Sequence, residues 1–239
     1  MLPEKPWRAE TVMQFIGLQL SCFCFGVLTA SLLHHFNVAG FRHENDFGNI
    51  LLGTFCFQGA TCILIPFFLG QNEMNWREAF GFHKKNLSRP LIFAVMTLIV
   101  VLPIALLLEN VSEGILGKIG WQPEEEAAVK MLEQANFSTE IYLAIFAVVI
   151  APVAEEFIFR GILFPFFRQL GHPKLAWVGV SFLFALIHLD PTIFAPLFVL
   201  ALALTWLYEK TNNLIAPIAA HSLFNALNLL ILLHFMKHE

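Results

Sequence analysis

Two adjacent glutamates and an arginine stand inside the apolar run APVAEEFIFRGILF at residues 151–164. Further along, FALIHLDP brings His188 and Asp190, and HSLFNALN brings His221, Asn225 and Asn228. Carboxylate, imidazole and amide groups are the parts needed to take a proton from water and to hold a developing oxyanion. Glu156 and Arg160 are four apart with the acid first, the favourable order for an ion pair along a helix. They read as an orienting pair. Glu155 points about 100° away from Glu156 around the helix and has no partner on its own turn. It is therefore the candidate general base. His221 and Asn225, at i and i+4, share a face and both offer hydrogen-bond donors.

Chain arithmetic sets the depth of these groups. The turn LGHPK is centred between Gly171 and His172, and Glu155 and His188 each lie 16.5 positions from that centre. In an antiparallel helix pair they are level, about 21–25 Å from the turn and near mid-bilayer. Rotation about the axes is left open. Pro152 and Pro217 each remove a backbone hydrogen bond and predict local kinks beside the glutamates and His221. Taken singly, a histidine in a bundle core is usually a packing residue, and an asparagine between helices often serves as glue. The grouping of all of them in the last hundred residues, with almost nothing comparable in the first three spans, favours chemistry.

The elements that position these residues are membrane helices. The chain is 57% hydrophobic and 13% charged, with mean hydropathy +0.69. About 20 apolar residues suffice to cross the hydrocarbon. Candidate spans run over 11–33, 49–70, 90–108, 139–169, 174–189, 193–209 and 213–235. The expected fold class is all-α, a polytopic transmembrane bundle of about seven spans in a single domain, 1–239. Net charge −4 leaves no basic footprint for nucleic acid. Cys22, Cys24, Cys56 and Cys62 lie in the first two spans and read as buried small apolar residues rather than disulfides or a metal site. The first span is too long for a signal-peptide core and reads as a retained anchor.

Lys and Arg in alternate segments set the orientation. Lys5, Arg8, Arg77, Lys84, Lys85, Arg89, Arg168, Lys174 and Lys210 fall on one side; Arg42, Lys118, Lys130 and Lys237 fall on the other. That bias predicts a cytoplasmic N-terminus and, with seven spans, an external C-terminus. The long connection from Glu109 to Ser138 is acidic, and QPEEEAAVKMLEQA within it reads as an amphipathic extramembrane helix. It is either a linker helix packed on the bundle or a lid.

EEFIFR, FALIH and HSLFN match Glu-Glu-x-x-x-Arg, Phe-x-x-x-His and His-x-x-x-Asn motifs. In that order they resemble the CPBP family of CAAX proteases and bacteriocin-processing enzymes, also called the Abi family, over residues 138–235. The resemblance implies an intramembrane endopeptidase with Glu155 as general base on a water that His188 helps to hold. His221 and Asn225 would then stabilise the oxyanion, and Glu156 and Arg160 would support the site. The implied partners are membrane lipid and a peptide or protein substrate near the membrane surface, in CAAX processing a prenylated one. The implied setting is the bacterial inner or plasma membrane.

Other chemistries fit less well. No span carries a His-Glu-x-x-His metal motif. Ser181 is followed by Phe182 where a rhomboid-type serine site wants a small residue, and Asp190 lacks a second aspartate. No cofactor is expected. Zinc stays open as an alternative, since Glu155, His188 and His221 are acceptable ligand types, but no pair has a recognised zinc spacing. A catalytically silent member of the same fold, acting in bacteriocin immunity or as a scaffold, is the alternative from another class. A transporter would be expected to show repeat symmetry, and none is seen.

Overall fold

The computed structural model describes residues 4–43, 46–82, 87–121, 132 and 137–236, and among these it contains helices and no strand. The elements are α1 (Ala9–His35), α2 (Phe47–Gln71), a short α3 (Trp76–Phe80), α4 (Ser88–Lys118), α5 (Phe137–Gln169), α6 (Pro173–Leu186), α7 (Pro191–Thr211) and α8 (Ile215–Met236). The amphipathic helix expected over QPEEEAAVKMLEQA lies outside the described residues, Leu132 excepted.

Six of these helices are long and apolar enough to cross a membrane. The fifth expected span, 174–189, is instead the 14-residue α6. At 1.5 Å per residue it covers about 21 Å, less than the roughly 30 Å of hydrocarbon. Large apolar side chains such as Phe25, Ile63 and Ile99 point outward from the long helices. A surface of that kind belongs in lipid. The protein is an integral membrane protein, a polytopic helical bundle.

Helix α7 is central, packing against α4, α6 and α8. Small residues permit the close approach: Ala94 and Ala105 on α4, Ala201 on α7, and Ala216 and Ala220 on α8 are all buried. A second core gathers around Phe68, Phe80, Phe159, Ile162, Phe184 and Tyr208. The short α3 wedges into it. Asn75 starts α3 by accepting from Arg77 N and Glu78 N, and Gly81 ends it at φ +71. A Cβ at Gly81 would stand 1.8 Å from the Asn212 carbonyl oxygen, so only glycine fits there. Leu214 N then donates to Phe80 O at 2.9 Å, fastening α3 to the α7–α8 turn.

Hydrogen bonds collect the basic ends on one side. Lys5 Nζ donates to Glu78 O, Arg8 to Gln71 O, Gln169 Nε2 to Trp7 O, and Arg168 lies 3.5 Å from Glu209. Burial holds the Lys5 ammonium below its ordinary pKa. Arg8, Arg77, Arg168 and Lys210 therefore share the end of the bundle at which the alternation of charge had placed them.

The prolines behave differently from expectation. Pro217 lies in the first turn of α8, where its missing N–H is not needed. Pro152 lies inside α5, yet α5 runs on through it, because the helix widens to π-helical turns at Phe146–Ile150 and Phe157–Leu163. The cysteines also differ: all four are free, Cys24 and Cys62 are exposed, and none is buried within the protein. Cys24 and Cys62 face the apolar surroundings of the bundle, while Cys56 packs against Gly26 of α1. Nor are the first spans devoid of polar groups, since Gln19, Gln58 and Thr61 are buried there.

Candidate active site

The site is built around α5. Its first π-helical turn carries hydrogen bonds from N–H to the carbonyl five residues back, ending with Ala151 N to Phe146 O. The next donor in that series would be residue 152, a proline, so the Ala147 carbonyl is left without a backbone partner. Asn225 Nδ2 of α8 supplies the missing bond at 2.8 Å. The second π-helical turn ends just before Pro165, and four residues before that proline the Gly161 carbonyl accepts from Trp7 Nε1 at 3.1 Å. A proline thus frees each carbonyl, and a side chain from another element ties it down. Turns of this type occur mostly at functional sites. Here they bracket Glu155 and Glu156.

Glu156 and Arg160 are both fully buried. Glu156 Oε1 accepts from the Arg160 guanidinium at 2.8 Å and from His221 Nδ1 at 2.9 Å. Arg160 also donates to Ala201 O at 3.0 Å and Thr205 Oγ1 at 3.3 Å on α7, and its guanidinium stacks 4.7 Å from the Phe184 ring centre. Removing one member of such a group would strand a charge in low dielectric. The ion pair expected from the i,i+4 spacing is formed. Its anchors on α7 were not legible beforehand, because Ala201 contributes only a carbonyl and Thr205 reads as an ordinary small residue of a span.

A carboxylate oxygen only accepts, so His221 donates to Glu156 from Nδ1 and turns Nε2 outward. That nitrogen lies 3.8 Å from Glu155 Oε2. The separation is too long for a hydrogen bond, but one water can reach both atoms at about 2.8 Å. Glu155 retains partial exposure, unlike Glu156. The two neighbouring carboxylates thus have separate surroundings: one locked, one open.

His188 lies in the turn after α6, since the helix ends at Leu186. Its Nδ1 donates to Phe184 O at 2.8 Å, which leaves Nε2 as an acceptor. The Phe184 ring contacts both imidazoles, at 5.1 Å from His188 and 5.7 Å from His221. Leu189 beside it takes φ +55, a left-handed conformation unusual for a side chain of that size. Asp190 is spent on starting α7, accepting from Thr192 N. Ser181 is wholly buried, donating to Trp177 O, and has no open face for chemistry.

A zinc ion would need a third ligand beside Glu155 and His221. Glu156 Oε1 is already held twice, and among the described residues no three His, Cys, Asp or Glu side chains come together to hold a metal.

Residues 137–227 match the family described as type II CAAX prenyl endopeptidase, Rce1-like. That segment of the chain is similar to the family. It takes in Glu155, Glu156, Arg160, His188, His221 and Asn225, and overlaps the 138–235 expected from the motifs. Among curated proteins, the chain is 35% identical over 78 residues to the UPF0177 protein YxdF of Lactococcus lactis subsp. lactis (strain IL1403). The aligned part is 32% of this chain and 42% of that relative, so the chain spans under half of the relative's length. No solved structure matches the chain.

Proposed function

We propose that the chain is an intramembrane endopeptidase that hydrolyses a peptide bond of membrane-associated substrates. The observation that carries this reading is the 3.8 Å approach of Glu155 Oε2 to His221 Nε2, inside the Rce1-like segment. A water between them gives a proton to Glu155 while its oxygen attacks the scissile carbonyl carbon. Glu155 then returns that proton to the departing amine as the carbon–nitrogen bond breaks. His221 is aimed by Glu156, and Glu156 by Arg160. Asn225 uses one amide hydrogen on Ala147 O and has a second for the oxyanion. His188, through Nε2, takes a further hydrogen bond from water or substrate. The Nδ1–H form of His221 makes its Nε2 an acceptor, so holding the water suits it better than the oxyanion role.

The substrate class follows from family likeness alone: CAAX-type proteins, prenylated near their C-terminus, or bacteriocin-like peptides. The basic end of the bundle faces the cytoplasm by the positive-inside rule, in a bacterial plasma membrane. No cofactor takes part.

The test is a quantitative comparison of membrane-protein termini in cells carrying wild type or Glu155→Gln at matched expression. Termini that disappear with the variant are the expected result. Identical termini, with any host phenotype retained, would leave the silent role in bacteriocin immunity or scaffolding as the better reading.

A further inference from the structure

The buried polar side chains of the first two spans are fastened to backbone or to each other, with one exception. Gln19 Nε2 and Thr61 Oγ1 both donate to Phe57 O, at 2.9 and 2.8 Å, and Asn72 Nδ2 donates to Phe68 O. Gln58 stands apart: it is 8% exposed, and its Oε1 is buried without a hydrogen-bond partner among the described residues. A buried amide oxygen left this way is unfavourable, and native proteins rarely keep one without a reason.

Its position supplies the reason. Thr54 Oγ1 meets Tyr142 OH of α5 at 2.8 Å, so that face of α2 is turned towards α5. Gln58 lies four residues further on the same face. It sits in the π-helical turn Phe55–Gly59, which packs against Ala151–Glu156, the stretch of α5 that carries Glu155 and Glu156. Gln19 holds this wide turn at Phe57 O from the α1 side, and Thr61 holds the same carbonyl from within α2. Gln58 belongs to the turn that meets α5, and its amide oxygen is buried without a partner among the described residues. Glu156 Oε2 on that stretch is likewise buried and unpartnered.

We infer that Gln58 is a substrate contact, its side-chain amide hydrogen-bonding the backbone of a peptide laid against Glu155. A primary amide offers a donor and an acceptor in one plane, and a peptide group offers the complementary pair. The inference rests on the endopeptidase reading and adds to it a residue from outside the matched 137–227. It gives α2 a part in recognition, while α5, α6 and α8 carry the chemistry.

The experiment uses the full chain in proteoliposomes and a synthetic peptide spanning a cleavage site found from the Glu155-dependent termini. Gln58→Met keeps the length of the side chain and removes the amide. The expected result is a KM raised about tenfold with kcat unchanged, and thermal stability equal to wild type or higher, since an unpaired polar group has been removed. In the inactive Glu155→Gln background, adding Gln58→Met weakens binding of the same peptide about tenfold. An unchanged KM overturns the inference while leaving the endopeptidase reading intact. A fall in stability with kcat and KM both disturbed makes Gln58 structural and also overturns it. If no terminus depends on Glu155, the endopeptidase reading fails first, and the role of Gln58 fails with it.

Discussion

Polar side chains are buried in both halves of this bundle, but they are used differently. In α1 and α2, Gln19, Thr61 and Asn72 mostly satisfy backbone carbonyls within the apolar interior. In α5, α7 and α8, the buried groups carry charge and hold one another: Arg160 holds Glu156, and Glu156 holds His221. The first arrangement closes every valence it can. The second leaves some open, at Glu155, at His221 Nε2 and at Glu156 Oε2. Burial of polar groups alone does not mark a site. Unsatisfied burial alone does not either, since Tyr208 OH and Thr192 Oγ1 are also buried without a partner among the described residues; Gln58 is the place where the N-terminal region follows the second pattern.

Substitutions can break this contrast. The largest effect is expected from Arg160→Met, which leaves Glu156 buried without its counter-charge. Thermal unfolding in detergent should show a loss of about 3–5 kcal/mol. Asn225→Leu strands the Ala147 carbonyl in an apolar interior and should lower stability by about 1–3 kcal/mol, together with turnover. Trp7→Phe removes the bond to Gly161 O and part of a buried ring, so about 1–3 kcal/mol is expected, with turnover little changed. Cys24→Ala and Cys62→Ala, on the exposed faces of α1 and α2, should each stay within about 0.5 kcal/mol. A Trp7→Phe loss as large as that of Arg160→Met would erase the contrast between the two regions.

Much of this was legible in the sequence because hydropathy and helical spacing are local. The apolar runs marked the long helices, and the i,i+4 relation of Glu156 and Arg160 announced a pair that is formed at 2.8 Å. Equal chain distance from the α5–α6 turn predicts one depth for Glu155 and His188. Rotation was beyond such arithmetic, and the residue that faces Glu155 is His221. His188 proved to lie past the end of α6, a helix too short to span. The prolines misled for a related reason. A proline predicts a lost bond, but not whether the helix kinks or widens and borrows a donor such as Asn225 from a neighbour. Gln58 carries no such signal, because a single glutamine in an apolar span has no spacing to betray it.

The most direct test of the account is cleavage in water enriched in oxygen-18. Wild-type protein in liposomes would be given a peptide spanning an identified cleavage site, beside the Glu155→Gln variant at equal amount. The account predicts one labelled oxygen in the new carboxyl terminus with wild type and no product with the variant, whose thermal stability stays at or above that of wild type. Cleavage by Glu155→Gln at the wild-type rate would contradict it, because the attacking water would then be activated by some other group.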